Sequence, residues 1–239
     1  MPLAFCVALG WYLTDLLGRY GEAVERRSLL TTVTSLAGTL QTRDEIESIK
    51  GLRGVPGDVD MPAYADVHEE LDHIRKAFPG SRFAYLMALK DGEVILLADS
   101  EEMTSPDYSP PGQVYEEASD VLRGVFVTKA PATEGPITDR WGTWVSGFAP
   151  VIDAEQGAVI ALLGVDISAA TWEATIAWFR GVGLLVSGVV FVIVILFVAL
   201  SLRQRWLAAK LAAANRIVEN STAILYRLGG GKLPLPMQF

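Results

Sequence analysis

Cysteine occurs once, as Cys6, and histidine twice, as His68 and His73, in a chain of 239 residues. A lone thiol cannot staple a fold, so no disulfide framework forms within the chain. The two histidines stand five positions apart, a spacing that diverges around a helix, and no cysteine or third histidine lies near them to complete a zinc site. Also missing are a phosphate-cradling glycine loop, a nucleophile elbow and a paired-cysteine motif, so the residues give no warrant for catalysis and imply no cofactor. Positive charge is short as well. Lys and Arg number 20 against 28 Asp and Glu, a formal net charge of −8, which speaks against a nucleic-acid partner.

The longest stretch without charge is residues 181–202, GVGLLVSGVVFVIVILFVALSL. As a helix its 22 residues extend ~33 Å, enough to cross a bilayer core of ~30 Å. Trp172 and Trp178 precede the run and Trp206 follows it, as indoles do at membrane interfaces. Arg203, Arg205, Lys210 and Arg216 lie beyond its C-terminal end, and the positive-inside rule places that end in the cytoplasm. Residues 19–180 carry 14 basic and 26 acidic side chains, a net of −12, whereas residues 201–239 carry 6 basic ones against Glu219 alone, a net of +5. The acidic block is therefore expected outside a bacterial inner membrane, with lipid as one of the chain's partners. Such a topology needs a second membrane element at the start. Residues 2–17 are the only candidate and fit poorly, because their 16 positions cover only ~24 Å, include Asp15 and follow no basic residue. A cleaved signal peptide fits no better without a basic start and a small-x-small cleavage site, and Phe5 before Cys6 is wrong for lipoprotein processing. Residues 1–18 are read as a first transmembrane helix whose upstream end is missing from this reading frame.

The outer block, residues 19–180, begins with helical spacing. Val24, Leu29, Leu30, Val33, Leu36, Ala37 and Leu40 give one helix over 20–40, with an apolar stripe long enough to suggest a homodimer. After the Gly/Pro-rich stretch 51–62, Val67, Leu71, Ile74 and Phe78 give a second helix over 64–78, closed by Pro79-Gly80. Strands follow. Residues 82–89 alternate Phe83, Tyr85, Met87 and Leu89, Asp91-Gly92 supplies a tight turn, and 93–99 runs back as the second arm of a hairpin. A Pro-rich acidic loop (100–112) leads to a short helix over 113–123, then strands over 125–129, 143–152 and 158–166, and a helix over 168–180 that enters the membrane. This order describes an α+β fold, a five-stranded antiparallel sheet flanked by long N-terminal helices, with transmembrane helices attached.

Four segments carry a resemblance: DGEVILLADSEE, SPPGQVYEEASDVL, EGPITDRWGTWVSGFAPVID and GAVIALLGVDISAATW. Together they resemble the extracytoplasmic PAS-like (Cache-type) sensor domain of bacterial membrane receptors, over residues 82–172. The combination Asp139-x-Trp141-Gly142-Thr143-Trp144, then Ala149-Pro150, then Gly164-Val165-Asp166-Ile167 is its most specific part. The helices before residue 82 match in kind but not in motif. A shorter segment, ANRIVENSTAILYRL (214–228), is similar to the start of a cytoplasmic PAS domain, in which a short helix passes through ENS into a first strand. On that likeness residues 203–239 are a cytoplasmic linker and the truncated beginning of a PAS module. Receptors of this kind carry a diguanylate cyclase, a cyclic-di-GMP phosphodiesterase or a two-component histidine kinase further on.

The resemblance implies a small-molecule pocket on one face of the sheet, and Tyr85, Tyr115, Asp139, Trp141, Trp144, Ser146 and Asp166 stand at or near its motif positions. Asp166 can pair with a ligand amine or cap the helix that follows, and the cap is the more frequent use of such an Asp. Trp141 and Trp144 suit core and loop-fixing duty better than a ligand cage. The acidic residues Asp99, Glu101, Glu102 and Asp107 lack calcium-loop spacing and read as a solvated surface. Three functions compete: a non-enzymatic receptor input that binds a small extracytoplasmic ligand, a ligand-free dimerisation and packing module, and a hydrolase with paired acids, for which only Asp99 and Asp166 sit at suitable strand ends.

Overall fold

A computed structural model describes residues 2–228. The chain divides into two units, residues 14–182 and residues 1–13 with 183–239.

Among the described residues five helices and five strands follow one another as α1 (Pro2–Thr39), α2 (Arg43–Gly51), α3 (Pro62–Ala77), β1 (Ser81–Lys90), β2 (Glu93–Asp99), α4 (Asp120–Thr128), β3 (Ala132–Thr138), β4 (Thr143–Asp153), β5 (Ala158–Ser168) and α5 (Ala169–Leu228), with a 3-10 turn at Pro56–Asp60. The strands form one antiparallel sheet in the order β2-β1-β5-β4-β3. The α+β expectation holds. The β1–β2 hairpin turns on Asp91 and Gly92, both at positive φ (53° and 85°), as a two-residue turn between right-twisted strands requires.

In the unit 14–182 the sheet is covered on both faces. On one face Ala84, Leu86, Ala149, Val151, Ala161, Leu163 and Val165 pack under Val33, Ala37 and Leu40 of α1, Ile46 and Ile49 of α2 and Val67, Leu71 and Ile74 of α3. Gly147 lets α1 approach, since a Cβ there would stand 3.0 Å from Leu29 and 3.3 Å from Val33. On the other face Phe83, Tyr85, Met87, Val94, Leu96, Phe148 and Leu162 meet Leu122 and Val125 of α4. Period-2 alternation along β1, β4 and β5 sorts the side chains between these two faces.

Four expectations need correction. The helices expected over 1–18 and 20–40 are one helix, α1, which runs through Gly18 and Gly21. Both glycines sit against α5, where a Cβ would meet the side chains of Arg180 and Phe179. Of the stripe assigned to a homodimer, Leu29, Val33, Ala37 and Leu40 are buried in the domain's own core, Leu30 and Leu36 are half-buried and Val24 is exposed. The helix expected over 113–123 and the strand over 125–129 are replaced by an extended strap and by α4. Residues 112–115 lie along the outer edge of β2, with Gly112 N–H donating to Leu96 O (2.8 Å), Leu96 N–H to Gln113 O (2.9 Å) and Tyr115 N–H to Val94 O (2.8 Å). The helix starts later because Ser119 caps it, its Oγ accepting from Leu122 N–H at 3.0 Å. Lys129, at φ 58°, ends it in a left-handed turn. The third strand is therefore Ala132–Thr138. Finally, residues 220–228 continue α5 instead of turning into a strand; no glycine or proline stands between Gly188 and Gly229. The remainder of the expected cytoplasmic segment, residues 229–239, lies outside the described residues.

Helix α2 escaped sequence reading, although Thr42 and Glu45 stand at capping-box spacing and Thr42 Oγ1 accepts from Glu45 N–H at 3.3 Å.

In the unit formed by residues 1–13 and 183–239, Ser187 Oγ donates to Gly183 O (2.7 Å) and reaches Gly10 O of α1 (3.4 Å). Among the described residues one helical span, Ala169–Leu225, is long and apolar enough to cross a membrane by length and composition. Leu184, Leu185, Ile193, Phe197 and Leu200 point outward along it, as a lipid-facing surface does. Beyond the charge-free run, Leu207, Leu211, Ala214, Val218, Ser221, Leu225 and Leu228 recur at alternating steps of four and three, and the five large side chains among them are exposed.

Candidate functional site

Register aligns the three central strands into rows on the α4 face. Phe83 pairs with Asp166 and Asp166 with Ser146; one row on, Tyr85 pairs with Gly164 and Gly164 with Phe148. Gly164 has no substitute here, since a Cβ would fall 2.1 Å from the Tyr85 ring. The ring lies over the glycine, and its hydroxyl donates to Asp166 Oδ1 at 3.0 Å.

Above these rows lies a cavity lined by Phe83, Tyr85, Met87, Leu96, Asp99, Asp107, Ser109, Tyr115, Asp139, Trp141, Trp144 and Asp166. Its free space is about 30 Å³, room for two or three water-sized groups at ~10–15 Å³ each. Six of the seven residues singled out from sequence, Tyr85, Tyr115, Asp139, Trp141, Trp144 and Asp166, line it together. Ser146 is not in the wall but lies beside Asp166 on the neighbouring strand.

Asp139 organises the loop that roofs the cavity. Its Oδ1 accepts from Trp141 N–H (2.9 Å), Gly142 N–H (3.1 Å) and Trp144 Nε1–H (3.0 Å), and its Oδ2 accepts from the Tyr115 hydroxyl (3.3 Å). Trp144 also meets Phe83 edge to face at 5.0 Å, while Trp141 tilts toward Tyr115 at 6.2 Å and carries the Arg140 guanidinium 5.1 Å from its ring centroid. Trp144 is thus loop-fixing, and Trp141 supplies a wall. Tyr115 arrives from the strap along β2, not from a helix.

Asp166 does not cap α5. Ser168 does, its Oγ accepting from Thr171 N–H at 3.1 Å. The Asp166 carboxyl is buried, and burial is the main cause that pushes its pKa up to about 7; the Ser146 and Tyr85 hydroxyls pull it down, and the charges of Asp139 and Asp99 push it up again. Tyr85 is held well above the usual phenol range by burial and by the nearby Asp166 charge, so it stays a hydrogen-bond donor.

Sequence reading left Asp99 and Asp107 on a solvated acidic surface and did not single out Phe83, Met87, Leu96 or Ser109. Asp99 is buried at the end of β2, its Oδ1 accepting from Glu101 N–H (3.1 Å) and its Oδ2 from Ser109 N–H (2.9 Å). Burial lifts its pKa to about 6 against those two backbone donors. His68 Nδ1–H donates to the Asp99 carbonyl at 2.6 Å, tying α3 to this wall. Asp107 is engaged by Arg82 at 2.7 Å, and the same guanidinium holds Glu101 and covers the Phe83 ring at 4.3 Å. The alternation Phe83, Tyr85, Met87 already placed three of these side chains on one face; the folding back of the 100–112 loop had no local signal.

No family model matches this chain, and no curated protein matches it in sequence. Solved structures do. The ligand-binding domain of the Campylobacter jejuni chemoreceptor Tlp3 in complex with 4-methylisoleucine aligns over 71% of this chain and 62% of its own length, at 16% identity and a TM-score of 0.50. The same domain in complex with L-norvaline aligns over 74% of this chain and 64% of its own, again at 16% identity and 0.50. An extracellular ligand-binding receptor from Desulfohalobium retbaense aligns over 70% of this chain and 26% of its own length, at 16% identity and 0.47. The chain therefore spans under two thirds of the length of these solved chains, and what it shares with the chemoreceptor domain is the fold.

Proposed function

We propose that the chain is the input part of a membrane-bound sensory receptor. Residues 19–180 bind a small extracytoplasmic ligand, and the difference in affinity between two conformations passes along α5 to a cytoplasmic module of the cyclase, phosphodiesterase or histidine-kinase kind. One observation carries this reading: a partly polar cavity on the sheet face, walled by Tyr85, Tyr115, Trp141 and a buried Asp166. Shared fold with a chemoreceptor domain crystallised with amino acids supports the small-molecule class. Homodimerisation belongs to the same reading, through the stripe from Leu207 to Leu228.

A second reading rests on the cavity's size. At about 30 Å³ it is far below the ~300 Å³ of an ordinary ligand site, as a ligand-free packing module would have it. A paired-acid hydrolase has less behind it, because both Asp99 oxygens are spent on backbone donors and Asp166 is left to act alone.

Thermal unfolding of the full chain in detergent micelles, screened against amines, amino acids, carboxylates and divalent cations, separates the first two. A ligand that binds only the folded state raises the melting temperature in proportion to ln(1 + [L]/Kd). One class of compound that stabilises the parent and not an Asp166→Asn variant supports the receptor; no shift from any compound favours the packing module.

A further inference from the structure

The cavity wall is one-sided in charge. Four carboxylates, Asp99, Asp107, Asp139 and Asp166, face it, and among the described residues no Lys, Arg or His lines it. Two guanidinium groups stack on rings of the wall: Arg82 over Phe83, shared between Glu101 and Asp107, and Arg140 over Trp141, paired with Glu117. A ligand carboxylate placed here would find no cation in the wall and would face four acidic side chains. An ammonium would find the reverse, a buried carboxylate for its protons and aromatic faces for its charge.

We propose that the ligand of this cavity is a small protonated amine that carries no carboxylate, held by Asp166 and enclosed by the rings of Tyr85, Tyr115 and Trp141. This rests on the receptor reading and narrows it. Asp139 and Asp99 are spent on backbone and indole donors and Asp107 on Arg82, which leaves Asp166 with hydroxyl partners only and a lone pair for the ammonium. The free space as it stands admits an ammonium head with one or two carbons; a longer chain requires the Trp141 loop to move outward.

The same geometry sets a pH dependence. The groups that face Asp166 are Tyr85 from β1, Ser146 from β4, Tyr115 from the strap, and the Asp139 and Asp99 carboxylates. Both tyrosines stay protonated near neutrality because burial raises them. Asp166 then changes charge near pH 7 and Asp99 near pH 6, and an ammonium ligand draws both toward the ionised form, so affinity rises as pH rises through that range.

The test is isothermal titration of the full chain in detergent with matched pairs that differ only by a carboxylate: ethylamine against alanine, and butylamine against norvaline. The expected result is binding of each amine at least ~10-fold tighter than its amino acid, with affinity higher at pH 8 than at pH 6. Asp166→Asn should abolish it while the variant still melts cooperatively. An amino acid that binds as tightly as its amine overturns the inference and leaves the receptor standing. If no amine binds but another compound stabilises the chain, the inference falls alone; if nothing in the wider screen binds, both fall.

Discussion

Asp166 is a stability liability that the ligand-free molecule carries at neutral pH. Its carboxyl titrates near 7 in the fold and near 4 unfolded, so its favourable contribution is complete below ~4 and is lost as pH rises through ~7. At pH 8 the buried carboxylate costs on the order of 4 kcal/mol by that linkage. Asp166→Asn removes the titration and keeps an acceptor for the Tyr85 hydroxyl. The ligand-free variant should therefore melt above the parent at pH 8, with the gap narrowing steadily toward pH 4. A gap that stays constant from pH 4 to 8 would show that Asp166 is not the group responsible. Asp99 moves in the same direction around 6 but is common to both chains and cancels. At this scale the sequence was informative wherever a side chain sits in a strand. Tyr85 and Asp166 are brought together by alternation and register. Asp107 and Ser109 could not be read, because their place depends on where a long loop folds back, and nothing in 100–112 specifies that locally.

Elements show the limits of periodicity more sharply. Residues 119–128, SDVLRGVFVT, satisfy both a helix and a strand, since Val125 and Val127 alternate while Leu122 and Val125 stand three apart. Ser119 decides between them, and its hydroxyl also donates to Glu134 Oε2 at 2.6 Å, fastening α4 to β3. Ser119→Ala should cost roughly 1–2 kcal/mol in urea unfolding of the full chain, the usual worth of a helix cap. An unchanged midpoint would mean that α4 is held by packing alone. The long helix α5 poses a different question, because its four-three stripe from Leu207 to Leu228 has charged residues only outside the seam, at Lys210, Arg216, Glu219 and Arg227. A helix with such a seam is stable in water chiefly against a second copy. In a Cys6→Ala background, single cysteines at 211 or 218 should form disulfide-linked dimers in membranes, and cysteines at 212 or 216 should not. Equal linking at all four positions would remove the seam.

For the whole molecule, the charge asymmetry between residues 19–180 and residues 201–239 makes orientation a measurable claim. With Cys6 replaced, a cysteine at Asp91, in the exposed hairpin turn, should react with a membrane-impermeant maleimide on intact spheroplasts, while one at Ala214 should react only after permeabilisation. The opposite pattern would invert the proposed orientation. Architecture was legible at this scale from hydropathy, hairpin chemistry and charge; the fusion of the first two helices was not, because the groups packed against Gly18 and Gly21 cannot be read locally. The strap over β2 has a further consequence, for what kind of partner this domain accepts. It occupies the outer ladder of β2 with backbone bonds from residues 112–115, and the opposite edge, β3, is broken by Pro136 and a register shift between Glu134 and Ile137. Neither margin offers another chain a continuous row of free amides and carbonyls, so strand addition, and with it fibre growth from the folded domain, is closed off. Any protein that associates with this domain is left to do so through side chains on its helices and loops.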